Sequence, residues 1–402
     1  MNEWNSPPPA FRIVNARVVT PEAVLPDAAV EIEGGIIRAV SRSAAGASSR
    51  PAVDARGRLL VPGFIDIHSD VIENAIQPRP GGRFPVDVAL HELDKQLVAC
   101  GVTTIYHCLC FLPSDENPPF RTAEMAHFLI GQIHELRGGF QARTRIHARY
   151  EITNTEAVDA VEDLIGQGRI DFFSLMDHTP GQGQFREIEH FRAYYAKARG
   201  LTEDHIERVI ARRLEASARL SWSGIERLAA ACRARGIRMA SHDDDSEAKI
   251  EAVSRLGVSL SEFPVNREAA QAARSRGLMV SLGSPNVLRG ASLTGNLSAR
   301  EALRAGLGDI LCSDYAPMSL LHAALKVHGE GILDLPSAVR LISLNPARAA
   351  GIDGLTGSIE EGKAADLVLV DDGRKVPAVV RTYVGGREVF RTADPADPGG
   401  QR

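Results

Sequence analysis

From Val61 onward, short apolar runs alternate with amphipathic stretches. The first run, VPGFIDIHSD (Val61–Asp70), places Val61, Pro62, Phe64, Ile65 and Ile67 ahead of His68, Ser69 and Asp70. A short apolar run that follows a turn signal and ends in polar residues reads as a buried strand with its polar groups at the carboxyl end. Seven further runs have this character: VTTIYHCLC, RIHARYEI, IDFFSLMD, IRMASHDDD, VSLSEFPV, LMVSLGSP and DILCSDYAP. Between them lie AEMAHFLIGQIHEL, EAVDAVEDLI, GIERLAAACRARG, EAKIEAVSRLG, REAAQAARSRG and AREALRAGL, with helical spacing and, in several, a closing glycine. Eight strand–helix repeats predict a (β/α)8 barrel over residues 62–349.

The flanks are different. Residues 11–60 read FRIVNARVV, AAVEIEGGIIRAV and VDARGRLLV, with Glu33-Gly34-Gly35 as a hairpin turn signal. A related pattern returns as GSIEEGKAADLVLVD and AVVRTYVGGREVF, with a second turn at Gly385-Gly386. One small β domain built from both chain ends is predicted, drawing on residues 1–61 and 350–402. Three consecutive prolines in Met1–Ala10 mark a frayed start. The connection Phe185–Arg219 is unusually long for a barrel and rich in Arg, Glu and His. Helices over the barrel mouth are expected there, as a lid or a contact in a homo-oligomer.

A formal net charge of -5 carries no nucleic-acid signature. No apolar run approaches the roughly 18–20 residues that span a membrane, and the N-terminus lacks the basic and apolar regions of a secretory signal. The five cysteines, Cys100, Cys108, Cys110, Cys232 and Cys312, are odd in number and sit in apolar contexts. Buried, reduced thiols in a cytoplasmic protein are the expectation.

Chemistry enters at the strand ends, which carry His68-Ser69-Asp70, Tyr106-His107, Tyr150-Glu151, Asp177-His178, His242-Asp243-Asp244-Asp245, Glu262, Ser284-Pro285-Asn286 and Ser313-Asp314-Tyr315. In a barrel these ends converge on one face. Packing does not require carboxylates there, and a bound cation relieves their mutual repulsion. On a strand, residues i and i+2 share a face, so His68 and Asp70 are placed to hold one ion together. His68, Asp70, Glu151, His242, Glu262 and Asp314 supply six ligands, more than the three that a mononuclear catalytic zinc site takes. Two divalent ions are expected, with Glu151 as a bridge. Four carboxylates against two imidazoles leave Mn²⁺, Fe²⁺ and Mg²⁺ open beside Zn²⁺. Asp314 is expected to act as the general base toward the attacking water. His91, His127, His134, His190, His205 and His322 read as ordinary surface or satisfied histidines. Asp243, Asp244 and Asp245 read as acids at a helix start with at most one in the site. Arg212 and Arg213 read as a solvated helix face.

This arrangement resembles the amidohydrolase superfamily, and PGFIDIHSD is similar to its first-strand pattern, with Asp70 where a second histidine is commoner. HSDVIENAIQPRP, SLMDHTPGQGQF, SHDDDS, PNVLRG and SDYAPMSLL resemble more narrowly the diphosphatase family of the carbon–phosphorus lyase pathway. The resemblance implies a metal-dependent barrel with a small β-sandwich from both termini, and water attack on phosphorus in α-D-ribose 1-methylphosphonate 5-triphosphate, releasing pyrophosphate. It places His68, Asp70, Glu151, His242 and Asp314 at ligand-bearing strand ends, and Glu262 where most relatives carry histidine. His178 is expected to donate to a phosphate oxygen or to protonate the leaving group. No GxxxxGK[ST] loop is present for the phosphates. Arg79, Arg83, Arg186, Arg289 and Lys326 on mouth loops, with Gln182, Asn286 and Tyr315, are the expected substrate contacts. Two departures, Gly183 at a commonly basic position and Leu293 at a histidine position, remove phosphate contacts. They favour the alternative, a hydrolase or deaminase acting on a C–N bond. A barrel without catalytic activity, serving as a binding protein, would have lost ligand residues that this chain retains.

Overall fold

The computed structural model describes residues 8–42, 50–113, 119–185, 187–199, 202–220, 222–292 and 295–393. One sheet is built from the chain ends: β1 (Phe11–Val19), β2 (Val24–Glu33), β3 (Ile36–Ser41), β4 (Ala52–Asp54) and β5 (Leu59–Pro62). The eight barrel strands follow: β6 (Phe64–Ser69), β7 (Val102–Phe111), β8 (Arg143–Glu151), β9 (Phe172–Met176), β10 (Arg238–His242), β11 (Leu260–Glu262), β12 (Met279–Gly283) and β13 (Ile310–Cys312). The chain then returns to the first sheet with β14 (Leu367–Asp371), β15 (Ala378–Val384) and β16 (Arg387–Arg391).

In the second sheet the strands lie in chain order from β6 to β13. With helices between them this is the expected (β/α)8 barrel, and each of the eight predicted runs supplies one strand. The first sheet has the order β16-β15-β14-β5-β1-β2-β3, with β4 pairing β1, so both termini do form one β domain. Its two hairpin turns sit where the sequence marks them. Gly34 and Gly35 have φ of 62° and 78°, and Gly385 and Gly386 have 53° and 74°. A type I′ turn needs this left-handed backbone at both central residues, and glycine adopts it without steric cost.

The chain divides into two compact units, Met1–Ile105 with Leu136–Thr144 and Ile310–Arg402, and Tyr106–Glu135 with Arg145–Asp309. The first holds the terminal sheet, whose core is built on Ile13, Val30, Ile32, Leu60, Leu367 and Leu369. In the second, β8 to β12 are paired in parallel register, for example Glu151 beside Met176 and His242 beside Glu262. The long connection forms two helices, Ile188–Arg199 and Glu203–Ala218, packed on Phe191, Tyr195, Ile206, Val209 and Ile210.

Two boundaries differ from the sequence reading. β7 runs on to Phe111, so Tyr106 and His107 lie within the strand and not at its end. All ten residues of that strand are buried, and burial pulls His107 down to about 4, which keeps the imidazole neutral. Ser284-Pro285-Asn286 opens a helix, Ser284–Arg289, because Pro285 sits in its first turn, where no N–H is needed. All five cysteines are free thiols, four of them buried.

Candidate active site

In the first unit, β6 delivers His68 to its carboxyl end in a strand that is buried throughout. Asp70 then precedes the helix Val71–Ile76 and makes no side-chain cap hydrogen bond. Its amide donates to the Asp314 carbonyl at 2.5 Å, and the Asp314 amide donates to the His68 carbonyl at 3.0 Å. These two bonds lock the end of β6 to the segment after β13. Asp314 has φ of 59°, a left-handed conformation that aspartate and asparagine tolerate better than most residues. Ligand atoms of His68, Asp70 and Asp314 lie within 4.8 Å of one another. Behind them, Asp66 is fully buried and accepts from the Ser313 and His68 amides at 3.1 and 3.4 Å. Burial pushes its carboxyl up to about 6 against the opposing pull of Ser313 and His68.

In the second unit, Glu151 ends β8, His178 follows β9, His242 ends β10 and Glu262 ends β11. His178 meets Glu151 twice, with Nδ1 2.8 Å from Oε2 and the backbone amide 3.2 Å from Oε1. Burial alone would raise Glu151. The His178 hydrogen bond and the charges of His178 and Arg213 outweigh it and hold the carboxyl below its ordinary value. His242 lies 3.5 Å from both Asp243 and Glu262. Arg149 Nη2 is 3.0 Å from His242 Nε2. Guanidinium only donates, so that nitrogen is the acceptor, and Arg149 competes with a metal ion for its lone pair. Ligand atoms of His178, His242 and Asp243 also lie within 4.8 Å of one another. Arg149 was not expected from sequence, because it is a charge inside a strand; one of Asp243, Asp244 and Asp245 was allowed in the site, and the structure places Asp243 there.

The neighbouring acids have other work. Asp244 accepts from Ser241 and Ser261, both at 2.5 Å, and Asp245 accepts from the Gly183 amide at 2.8 Å. The helix that follows, Glu247–Arg255, is capped instead by Ser246.

Of the expected substrate contacts, Arg79, Arg83, Arg289 and Tyr315 are exposed. Gln182 donates to Asp177 at 2.5 Å. The Asn286 amide group spans the Leu297 carbonyl and the Ala299 amide, both at 3.1 Å. Lys326 pairs with Glu330 at 3.3 Å. Arg186 and Leu293 lie outside the described residues.

Arg212 and Arg213 correct the sequence reading. Instead of a purely solvated face, they line a cavity of about 580 Å³ together with Glu151 and His178. Arg213 Nη1 donates to the His178 carbonyl at 3.1 Å, and its guanidinium lies 5.5 Å from the ring centres of Phe191 and Tyr195. No local pattern marks an arginine for such a place; the packing of Ile188–Arg199 against Glu203–Ala218 puts it there.

Imidazoles and carboxylates so grouped fit a divalent cation of intermediate hardness. The amidohydrolase family pattern matches residues 122–389. The chain is 37% identical over 383 residues to the alpha-D-ribose 1-methylphosphonate 5-triphosphate diphosphatase of Escherichia coli (strain K12), covering 94% of this chain and 100% of that protein. Among solved structures, a molinate hydrolase superposes with a TM-score of 0.67 at 15% identity, covering 98% of this chain and 100% of that one. Dihydropyrimidinase from Brevibacillus agri NCHU1002 gives 0.63 at 14% identity, covering 95% of each chain. With more than half of its length matched by the family pattern and nearly all of it aligned to one relative, this chain belongs to the amidohydrolase family and is a hydrolase.

Proposed function

We propose that this hydrolase cleaves a phosphoanhydride in a small ribose-phosphonate triphosphate, releasing pyrophosphate. The observation that carries the reading is the 37% identity to the Escherichia coli diphosphatase across that protein's whole length. His68, Asp70 and Asp314 would hold one divalent ion, and His178, His242 and Asp243 a second. Bound ions supply Lewis acidity and offset negative charge at phosphorus.

The chain's own groups do the rest. Asp314 accepts the proton of the attacking water as its oxygen bonds to phosphorus and the bond to the leaving pyrophosphate breaks. An imidazole that donates Nδ1–H to a carboxylate presents a lone pair at Nε2, the form in which histidine binds metal. We therefore place His178 among the ligands, with Glu151 behind it as the orienting carboxylate. Glu262 lies 3.5 Å from Nδ1 of His242.

The test is turnover of the metal-loaded enzyme on α-D-ribose 1-methylphosphonate 5-triphosphate, followed by pyrophosphate release. No pyrophosphate with any divalent metal overturns the assignment. A C–N hydrolase is the second reading, favoured by Gly183, which has no side chain to reach a phosphate and whose amide is committed to Asp245. Release of ammonia or a carboxylate from amides or cyclic imides would establish it.

A further inference from the structure

The cavity beside the Glu151–His178 pair holds side chains that the roles above leave unused. Arg212 and Arg213 come from the helix Glu203–Ala218, while Glu124 and Glu156 come from the starts of other helical segments. The volume, about 580 Å³, lies in the range of pockets that enclose a small metabolite.

Arg213 is held from two directions, by the His178 carbonyl and by the two aromatic faces of Phe191 and Tyr195. A guanidinium held in this way presents planar N–H donors, which match the oxygens of a phosphate better than a flexible ammonium does. It lines the same cavity as Glu151 and His178. Carboxylates on the same lining accept hydrogen bonds from hydroxyls and repel phosphate. The two kinds of lining residue together suit a ligand with an anionic chain at one end and sugar hydroxyls at the other.

We propose that this cavity is the subsite for the polyphosphate chain of a sugar polyphosphate, and that Arg213, assisted by Arg212, determines specificity for that chain. The inference rests on the diphosphatase reading for its substrate but is tested separately from it. Inorganic tripolyphosphate is titrated calorimetrically into the metal-loaded protein, and its affinity is compared among the wild type, Arg213→Gln, Arg213→Lys and Arg212→Ala at equal metal content. Coordination of the probe by metal is common to all four, so the differences report the arginines.

Arg213→Gln is expected to weaken binding about 10–100-fold, the range for a charged hydrogen bond, with Arg213→Lys between it and the wild type. Arg212 is exposed, so Arg212→Ala keeps the fold and is expected to weaken binding severalfold. Wild-type affinity in Arg213→Gln and Arg212→Ala overturns the proposal. If Arg213→Gln does not fold, wild-type affinity in Arg212→Ala alone overturns it. Arginine-dependent binding without pyrophosphate release would support the subsite and reject the diphosphatase reading. Pyrophosphate release with unchanged affinities would do the reverse.

Discussion

Glu151→Gln probes the orientation of His178 with little change of shape. In the native protein Glu151 takes Nδ1–H of His178 at 2.8 Å, the His178 amide at 3.2 Å and the Thr153 hydroxyl at 3.3 Å. Glutamine keeps one acceptor oxygen, which the His178 amide and Thr153 can still use. Its amide nitrogen, however, would face the Nδ1 donor. Two donors cannot bond, so the ring relieves the conflict by moving its proton to Nε2. That removes the lone pair through which His178 would bind metal. A hydrogen bond to a charged group contributes about 1.5–3 kcal/mol net, and loss of an orienting partner behind a metal ligand typically costs about 10–100-fold in metal affinity or activity. Metal titration of the apo-protein, read by calorimetry and by recovered turnover, measures this. We expect affinity to fall by at least about tenfold, with turnover partly restored by excess metal. The thermal transition should remain cooperative, because about 1.5–3 kcal/mol is a fraction of the roughly 5–15 kcal/mol of a typical domain. Unchanged metal affinity together with unchanged turnover would refute the orienting role of Glu151.

Other outcomes follow from single features. Asp314→Asn should fold, since asparagine also tolerates the φ of 59° at that position; steady-state assays at saturating metal should show a loss of about 10²–10⁴-fold in turnover, and a near-normal rate would remove Asp314 from the base role. Chelation followed by desalting should abolish turnover while leaving the far-ultraviolet circular dichroism intact, and added divalent metal should restore the rate. Gly63→Ala should destabilise the fold, because a Cβ there would lie 2.2 Å from Thr103 Oγ1 and 2.4 Å from its Cγ2; denaturant unfolding should show a loss of about 1–3 kcal/mol, the usual cost of overpacking.

The barrel was legible because its strands are buried on both faces. Such strands must be apolar almost throughout, and GFIDIHSD or IDFFSLMD shows this without any tertiary information. The hairpins at Gly34-Gly35 and Gly385-Gly386 were legible because a left-handed backbone demands glycine locally. Which residue stands at a strand's end was less so: β7 continues past His107, since a polar residue inside a strand is indistinguishable in sequence from one at its end. The imidazoles and carboxylates that the fold gathers into groups able to hold an ion were visible at His68, Asp70, His242 and Asp314, because polar residues of these types after an apolar run have no packing purpose. Their roles were not, because a role is set by partners far away in the chain. The pairing of Glu151 with His178 spans 27 positions, that of Arg149 with His242 spans 93, and Arg213 reaches the His178 carbonyl across 35. Local sequence records what each residue can donate or accept; only the fold decides which donor meets which acceptor, because hydrogen bonds and metal coordination act over a few ångströms of space whatever the separation along the chain.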